Sequence, residues 1–146
     1  MRDLPRKLSA DDLAELFEGR TKLVERLAEL DDPLRRAEEI LVTISYKDKV
    51  EALNTHPAIG QRAGLSERSA AEQGDEADVA VLAELARLNA EYEEKFGFRF
   101  VVFVNGRPKS EILQVLRARI ARTKDEELDT GCHELIAIAR DRWTRT

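Results

Sequence analysis

Apolar residues recur along the chain at three- and four-residue intervals, the spacing that gathers side chains into a stripe on one side of an α-helix. Ser9 followed by Asp12 has the form of a capping pair, and Leu13, Leu16 and Phe17 make a short apolar face that Gly19 interrupts. Leu23, Val24, Leu27 and Leu30 predict a second helix, closed by Asp31 and Asp32. Pro33 behind Asp32 suits a first helical position after an N-cap, so a third helix is expected to start there with Leu34, Ala37, Ile40, Leu41 and Ile44 inward. Ser45 with Asp48 opens a fourth through Val50 and Leu53. That helix must stop near His56, because Pro57 pushes the residue before it out of the α region.

From Ala58 to Asp78 the pattern lapses: Gly60, Gly64 and Gly74 stand among polar residues, with one helical turn expected near Ser69 to Gln73. A connection this long inside a compact domain is uncommon unless it has a task. Periodicity returns with Val81, Leu82, Leu85, Leu88, Asn89, Tyr92 and Phe96, and Gly97 is a natural residue to follow the helix end. Phe98 to Val104 is aromatic and β-branched, a strand by propensity. No second such run exists to pair with it, so it reads as a buried extended segment. Ser110 is expected to cap a helix carrying Ile112, Leu113, Leu116 and Ile120, and Thr123 with Glu126 to cap the last, carrying Leu128, Cys132, Leu135, Ala139 and Trp143. The expectation is an all-α fold, one multi-helix domain over residues 1–146, with one extended buried segment near 98–104.

Composition narrows the function. With 42% apolar and 36% charged residues the chain can bury a core and still cover it with a solvated shell. A formal charge of −5 argues against a nucleic-acid footprint, which needs Lys and Arg concentrated on one face. Arg117, Arg119, Arg122 and Lys124 are the one candidate patch, and beside Leu116 and Ile120 they read as a solvated helix face. Cys132 is the single cysteine, so no internal disulfide can form, and its apolar neighbours suggest a core role. Residues 1–7 lack the apolar stretch of a secretory signal, no window approaches the ~20 apolar residues of a membrane span, and the last residues are not a peroxisomal tripeptide. A cytoplasmic protein with no membrane partner is the expectation.

Two histidines, with no His-x-x-x-His or Cys-x-x-Cys spacing, make a metal enzyme an unpromising reading, and no glycine-rich loop marks a nucleotide site. His133 lies mid-helix with nothing distinctive in its spacing. His56 stands at a forced helix end, where its ring can point into whatever the long connection encloses. Its unperturbed pKa, about 6.5, makes it the strong acid/base candidate near neutrality, although a histidine there can equally cap or pack. Ser69 and Glu72 have the Ser-x-x-Glu spacing of a capping box, which needs no catalytic meaning.

Together, His56-Pro57-Ala58-Ile59-Gly60, then Ser69-Ala-Ala-Glu72-Gln73, then Asn89-x-x-Tyr92-x-x-Lys95-Phe96-Gly97-Phe98-Arg99-Phe100, resemble the signature series of the OHCU decarboxylases. Order and spacing both match, and the similarity continues through Glu111-Ile112-Leu113, Arg119, Glu127 and Ile138 to Arg142, so it covers roughly the last ninety residues well. The family's early Ser-Pro-Trp-like and Arg-Pro-Phe segments are not recognisable, with Leu23 to Pro33 standing roughly in their place. Arg99 replaces a common proline of the Phe-Gly-Phe-x-Phe motif.

The resemblance implies an all-helical enzyme, usually a homodimer, that decarboxylates the small molecule 2-oxo-4-hydroxy-4-carboxy-5-ureidoimidazoline, made from urate, to (S)-allantoin with no cofactor. By position it implies that His56 is the catalytic acid/base and Glu72 its carboxylate partner, and that Pro57, Ser69 and Gln73 line the substrate. The segment Phe100, Val101, Val102, Phe103 and Val104 would present backbone groups to the ureido and ring atoms. The residue types suit the chemistry: loss of carbon dioxide leaves charge that the adjacent C=N bond accepts, so the protein must orient the carboxylate and protonate one face. Two alternatives stand beside it: a divergent relative acting on another ureide or ring carboxylate, and a helical interaction module without turnover.

Overall fold

Side chains close three of the helix starts that the sequence marks. The structure, a computed structural model, describes residues 3–57 and 79–145. Within them lie seven α-helices and no strand: α1 (Ala10–Phe17), α2 (Lys22–Leu27), α3 (Ala37–Leu41), α4 (Tyr46–Asn54), α5 (Val79–Phe96), α6 (Lys109–Arg119) and α7 (Lys124–Arg145). Ser9 and Asp12 form a reciprocal capping box at α1. Thr21 caps α2 and Ser45 caps α4, each accepting from the amide three residues on. Thr123 and Glu126 cap α7 reciprocally, at 3.0 and 3.2 Å. Gly97 follows α5 at φ +80°, the expected end.

Two helix starts differ from expectation. Asp32 is not an N-cap: it has φ +52°, and α3 begins five residues later, behind Arg36. The cause lies in α7. Arg140 donates from Nε to the Leu34 carbonyl at 2.6 Å and from Nη2 to the Arg35 carbonyl at 3.3 Å, so it takes acceptors that a helix starting at Pro33 would use internally. The same guanidinium holds the Glu38 carboxylate with both terminal nitrogens, at 2.9 and 2.6 Å. Nor does Ser110 cap α6, which starts at Lys109 behind an extended Pro108 that makes no side-chain cap.

The helix α7 is the centre of the packing, meeting α1, α3 and α4, while α2 joins α1, α3 and α4, and α5 pairs with α6. The close approach of α4 and α7 depends on Gly131, where a Cβ would come within 3.2 Å of Leu53 Cδ2. The core-facing stripes are those the periodicity marks: Leu13, Leu16 and Phe17 on α1, Leu85, Leu88, Tyr92 and Phe96 on α5, and Leu128, Cys132, Leu135 and Ala139 on α7 are buried. Cys132 is a core residue, and burial pushes its thiol up to about 12. No helix among the described residues is long and apolar enough to cross a membrane.

The strand-like run is buried without being a strand. Phe98, Phe100, Val101, Val102 and Val104 are buried, while Phe103 is half-buried. Tyr92 packs on Phe96, Phe98 and Phe100 with ring centroids 4.6, 6.1 and 5.2 Å apart. Lacking a sheet neighbour, the segment finds backbone partners among side chains. Arg99 N–H donates to Asn54 Oδ1 at 2.9 Å, Phe103 N–H to Glu134 Oε1 at 3.2 Å, and the Val101 carbonyl accepts from Arg119 Nη1 at 2.7 Å. It leaves through Asn105 and Gly106, both at positive φ, with Arg107 N–H on the Val104 carbonyl at 3.0 Å. That is the signature of a type I′ turn, where glycine at the second central position removes the strain.

Candidate active site around His56

The fourth helix delivers His56 to the interior. Its last turn tightens, with the His56 amide bonded to the Leu53 carbonyl at 3.2 Å, and Pro57 prevents another. His56 is 9% exposed, and its Nδ1 is buried with no hydrogen-bond partner among the described residues. A buried polar atom left without a partner is rare enough to need a reason, and a site awaiting a ligand is one. Burial lowers the ring's pKa to about 4; the positive charges of Arg142 and Arg99 push the same way and the Glu18 carboxylate opposes them. His56 is therefore neutral at pH 7, able to take a proton or to accept a hydrogen bond.

Among the described residues, three charged side chains from different parts of the fold act on it. Arg142, on α7, is almost wholly buried and donates from Nη1 to the Leu16 carbonyl at 2.8 Å. The same nitrogen lies 3.2 Å from Glu18 Oε1. Glu18 ends α1 in the left-handed conformation, φ +63°. For a residue with a Cβ that geometry costs on the order of 1 kcal/mol or more, and such strain gathers at functional sites. Here it brings an acid to a buried guanidinium. Arg99 holds the His56 main chain, its Nη1 on the His56 carbonyl at 2.6 Å.

Behind the segment stands a second buried polar group. Glu127 is fully buried and accepts from Tyr92 Oη at 2.6 Å, from Arg119 Nε at 2.8 Å and, on its other oxygen, from Arg122 Nη1 at 2.8 Å. Arg119 carries the link on to the Val101 carbonyl and lies over the Phe100 ring, 4.6 Å from its centroid. Burial, and then the hydrogen bond to Glu127, raise the Tyr92 phenol well above its usual range. The expected solvated basic face is thus corrected: Arg117 is exposed, but Arg119 is buried because Glu127 and the Val101 carbonyl hold it inside.

Of the residues the sequence marks, His56, Pro57 and Phe100 to Val104 are described; Ser69, Glu72, Gln73 and the turn expected around them lie outside the described residues. His56 and the segment are linked through Arg99, bonded to His56 by its side chain and leading directly into Phe100. His133 bonds the Asp129 carbonyl at 2.8 Å in the middle of α7 and is half exposed, as its spacing suggests. No group of three or more His, Cys, Asp or Glu placed to hold a metal occurs among the described residues. Sequence reasoning missed the charged neighbours of His56. Arg142 closes the C-terminal motif and could have been singled out there; Glu18 is an ordinary acid at a helix end, and nothing in the sequence marks its left-handed turn.

Known proteins place this architecture. A family model described as OHCU decarboxylase matches residues 2–144. The chain is 28% identical over 142 residues to the uric acid degradation bifunctional protein PucL of Bacillus subtilis, covering 90% of this chain and 29% of that protein. It is 30% identical over 99 residues to the 2-oxo-4-hydroxy-4-carboxy-5-ureidoimidazoline decarboxylase of Halalkalicoccus jeotgali, covering 65% of this chain and 56% of the relative. Its fold superposes on a crystal structure of OHCU decarboxylase in the presence of (S)-allantoin with a TM-score of 0.77 at 24% identity, over 92% of this chain and 96% of that one. A match running nearly end to end, on a fold with the same helical course, decides the family: the chain belongs to the OHCU decarboxylases.

Proposed function

We propose that this chain decarboxylates 2-oxo-4-hydroxy-4-carboxy-5-ureidoimidazoline to (S)-allantoin in urate breakdown, as one catalytic domain over residues 1–146 that needs neither metal nor organic cofactor. The observation that carries this reading is the neutral, buried imidazole of His56, whose Nδ1 has no hydrogen-bond partner among the described residues, in the field of Arg142. The reaction breaks one carbon–carboxylate bond, sends the electron pair into the neighbouring C=N system, releases carbon dioxide and needs one proton on carbon. A buried guanidinium is the group to attract and orient a carboxylate. When the anion enters, its charge offsets that of Arg142 and raises the proton affinity of His56, which then carries a proton from solvent to one face of the ring. Glu72 is assigned as the carboxylate partner of His56. Pro57, Ser69, Gln73 and the backbone of Phe100 to Val104 are assigned to substrate binding. The partner is a small molecule rather than nucleic acid or membrane, the protein works as a cytoplasmic homodimer, and handedness follows from protonation on a single face.

Freshly generated substrate, followed by circular dichroism as allantoin forms, tests this. The expected result is (S)-allantoin appearing faster than the spontaneous reaction allows. Racemic product at the spontaneous rate would reject the proposal.

A further inference from the structure

Arg99 makes two bonds to the end of the helix that carries His56. Its Nη1 donates to the His56 carbonyl at 2.6 Å, and its own backbone N–H donates to Asn54 Oδ1 at 2.9 Å. A planar, permanently charged fork thus holds the carbonyl two residues beyond the last residue of α4, and a second nitrogen of that fork, Nε, lies 3.5 Å from Glu93 Oε1 on α5. One residue thereby ties together the end of α4, the face of α5 and the first residue of the buried segment. The side chain is 28% exposed. Among the described residues, the charged groups acting on the imidazole are Arg142 from α7, Glu18 from the end of α1 and Arg99 itself, and Arg99 also holds the histidine's main chain.

We infer that Arg99 is a positioning residue for His56, clasping the Asn54 side chain and the His56 carbonyl and locking this end of α4 in register with the Phe100–Val104 segment. The inference rests on the reading of His56 as the proton-transfer group. Small displacements of a reacting group are costly, up to about a hundredfold for a shift near 1 Å, so the clasp should show in turnover more than in binding.

The full chain carrying Arg99→Met or Arg99→Lys, with kcat and KM measured across pH, tests it. Arg99→Met is expected to lose about tenfold to a hundredfold in kcat with KM little changed. It should also shift the alkaline limb of kcat/KM, where the proton donor is lost, to higher pH, because a cation that disfavours imidazolium has gone. Arg99→Lys keeps the charge and loses the fork, so kcat falls while the alkaline limb stays in place. Wild-type kcat in both variants would overturn the inference, as would an unmoved alkaline limb in Arg99→Met, the mark of a merely structural residue. His56→Gln, run alongside, separates the two claims. If that variant keeps native turnover, the assignment of His56 fails. If it is inactive while Arg99→Met behaves as wild type, only the inference about Arg99 fails. Should Arg99→Met not fold, Arg99→Lys decides by its kcat and alkaline limb alone.

Discussion

Replacing His56 by glutamine is expected to lower kcat for the ureidoimidazoline by about 10²- to 10⁴-fold, the range that one positioned acid/base supplies. Glutamine fills a similar volume and can hydrogen-bond, but it cannot hold and release a proton at neutral pH. The allantoin that still forms should lose its handedness, because solvent protonates either face. The fold should survive, and its acid tolerance should improve. The folded-state pKa of His56, about 4, lies below the ordinary 6.5 of an unfolded chain, so the wild type keeps this site's full stability above pH 6.5 and loses it as pH falls towards 4. The total at stake is on the order of 3 kcal/mol. Urea midpoints measured between pH 7 and pH 4 should therefore converge on, then fall below, those of His56→Gln. Stereospecific product at the native rate would show that another group delivers the proton.

Removing Glu127 should have the largest effect on stability. Glu127→Ala leaves Arg119, whose side chain is 7% exposed, as a buried cation, and strands the Tyr92 hydroxyl. Breaking a buried pair on one side costs about 3–5 kcal/mol, a large share of a small domain's stability. An exposed pair offers the contrast: Arg87 and Glu91 are 57% and 51% exposed, and Glu91→Ala should change stability by less than about 1 kcal/mol. Glu127→Gln, which keeps an acceptor for Tyr92 and gives up the charge, should fall between them. Urea unfolding followed by circular dichroism reads all three. A loss below about 1 kcal/mol for Glu127→Ala would mean that Arg119 and Tyr92 find other partners or water. Because Arg119 also holds the Val101 carbonyl, loosening it should raise KM as the segment loses its brace.

The legible parts of the fold were those written in local chemistry. Ser9, Ser45 and Thr123 mark their helix starts because a hydroxyl three residues before a free amide satisfies it wherever the chain goes. Pro57 stops α4 for an equally local reason. The start of α3 was not legible, since Arg140 claims the Leu34 carbonyl from 106 residues away and no local rule counts that competitor. The basic run around Arg119 looked solvated because spacing cannot see Glu127 closing over it. For the site, His56 was visible as an imidazole before a proline, and the segment as a strand without a sheet. What surrounds the imidazole was hidden, because Glu18, Arg99 and Arg142 come together only once α1, the start of the segment and α7 are in place.

Burial and the cations beside it hold the imidazole of His56 neutral inside the protein. With His133→Gln as background, His56 is the only histidine left, and the NMR titration of its ring in the folded protein measures this directly. The expected midpoint is about 4, well below the usual histidine value, and it should rise when a small carboxylate occupies the site. A midpoint at 6.5 or above in the ligand-free protein would mean an imidazole open to water, and the site drawn around it would be wrong.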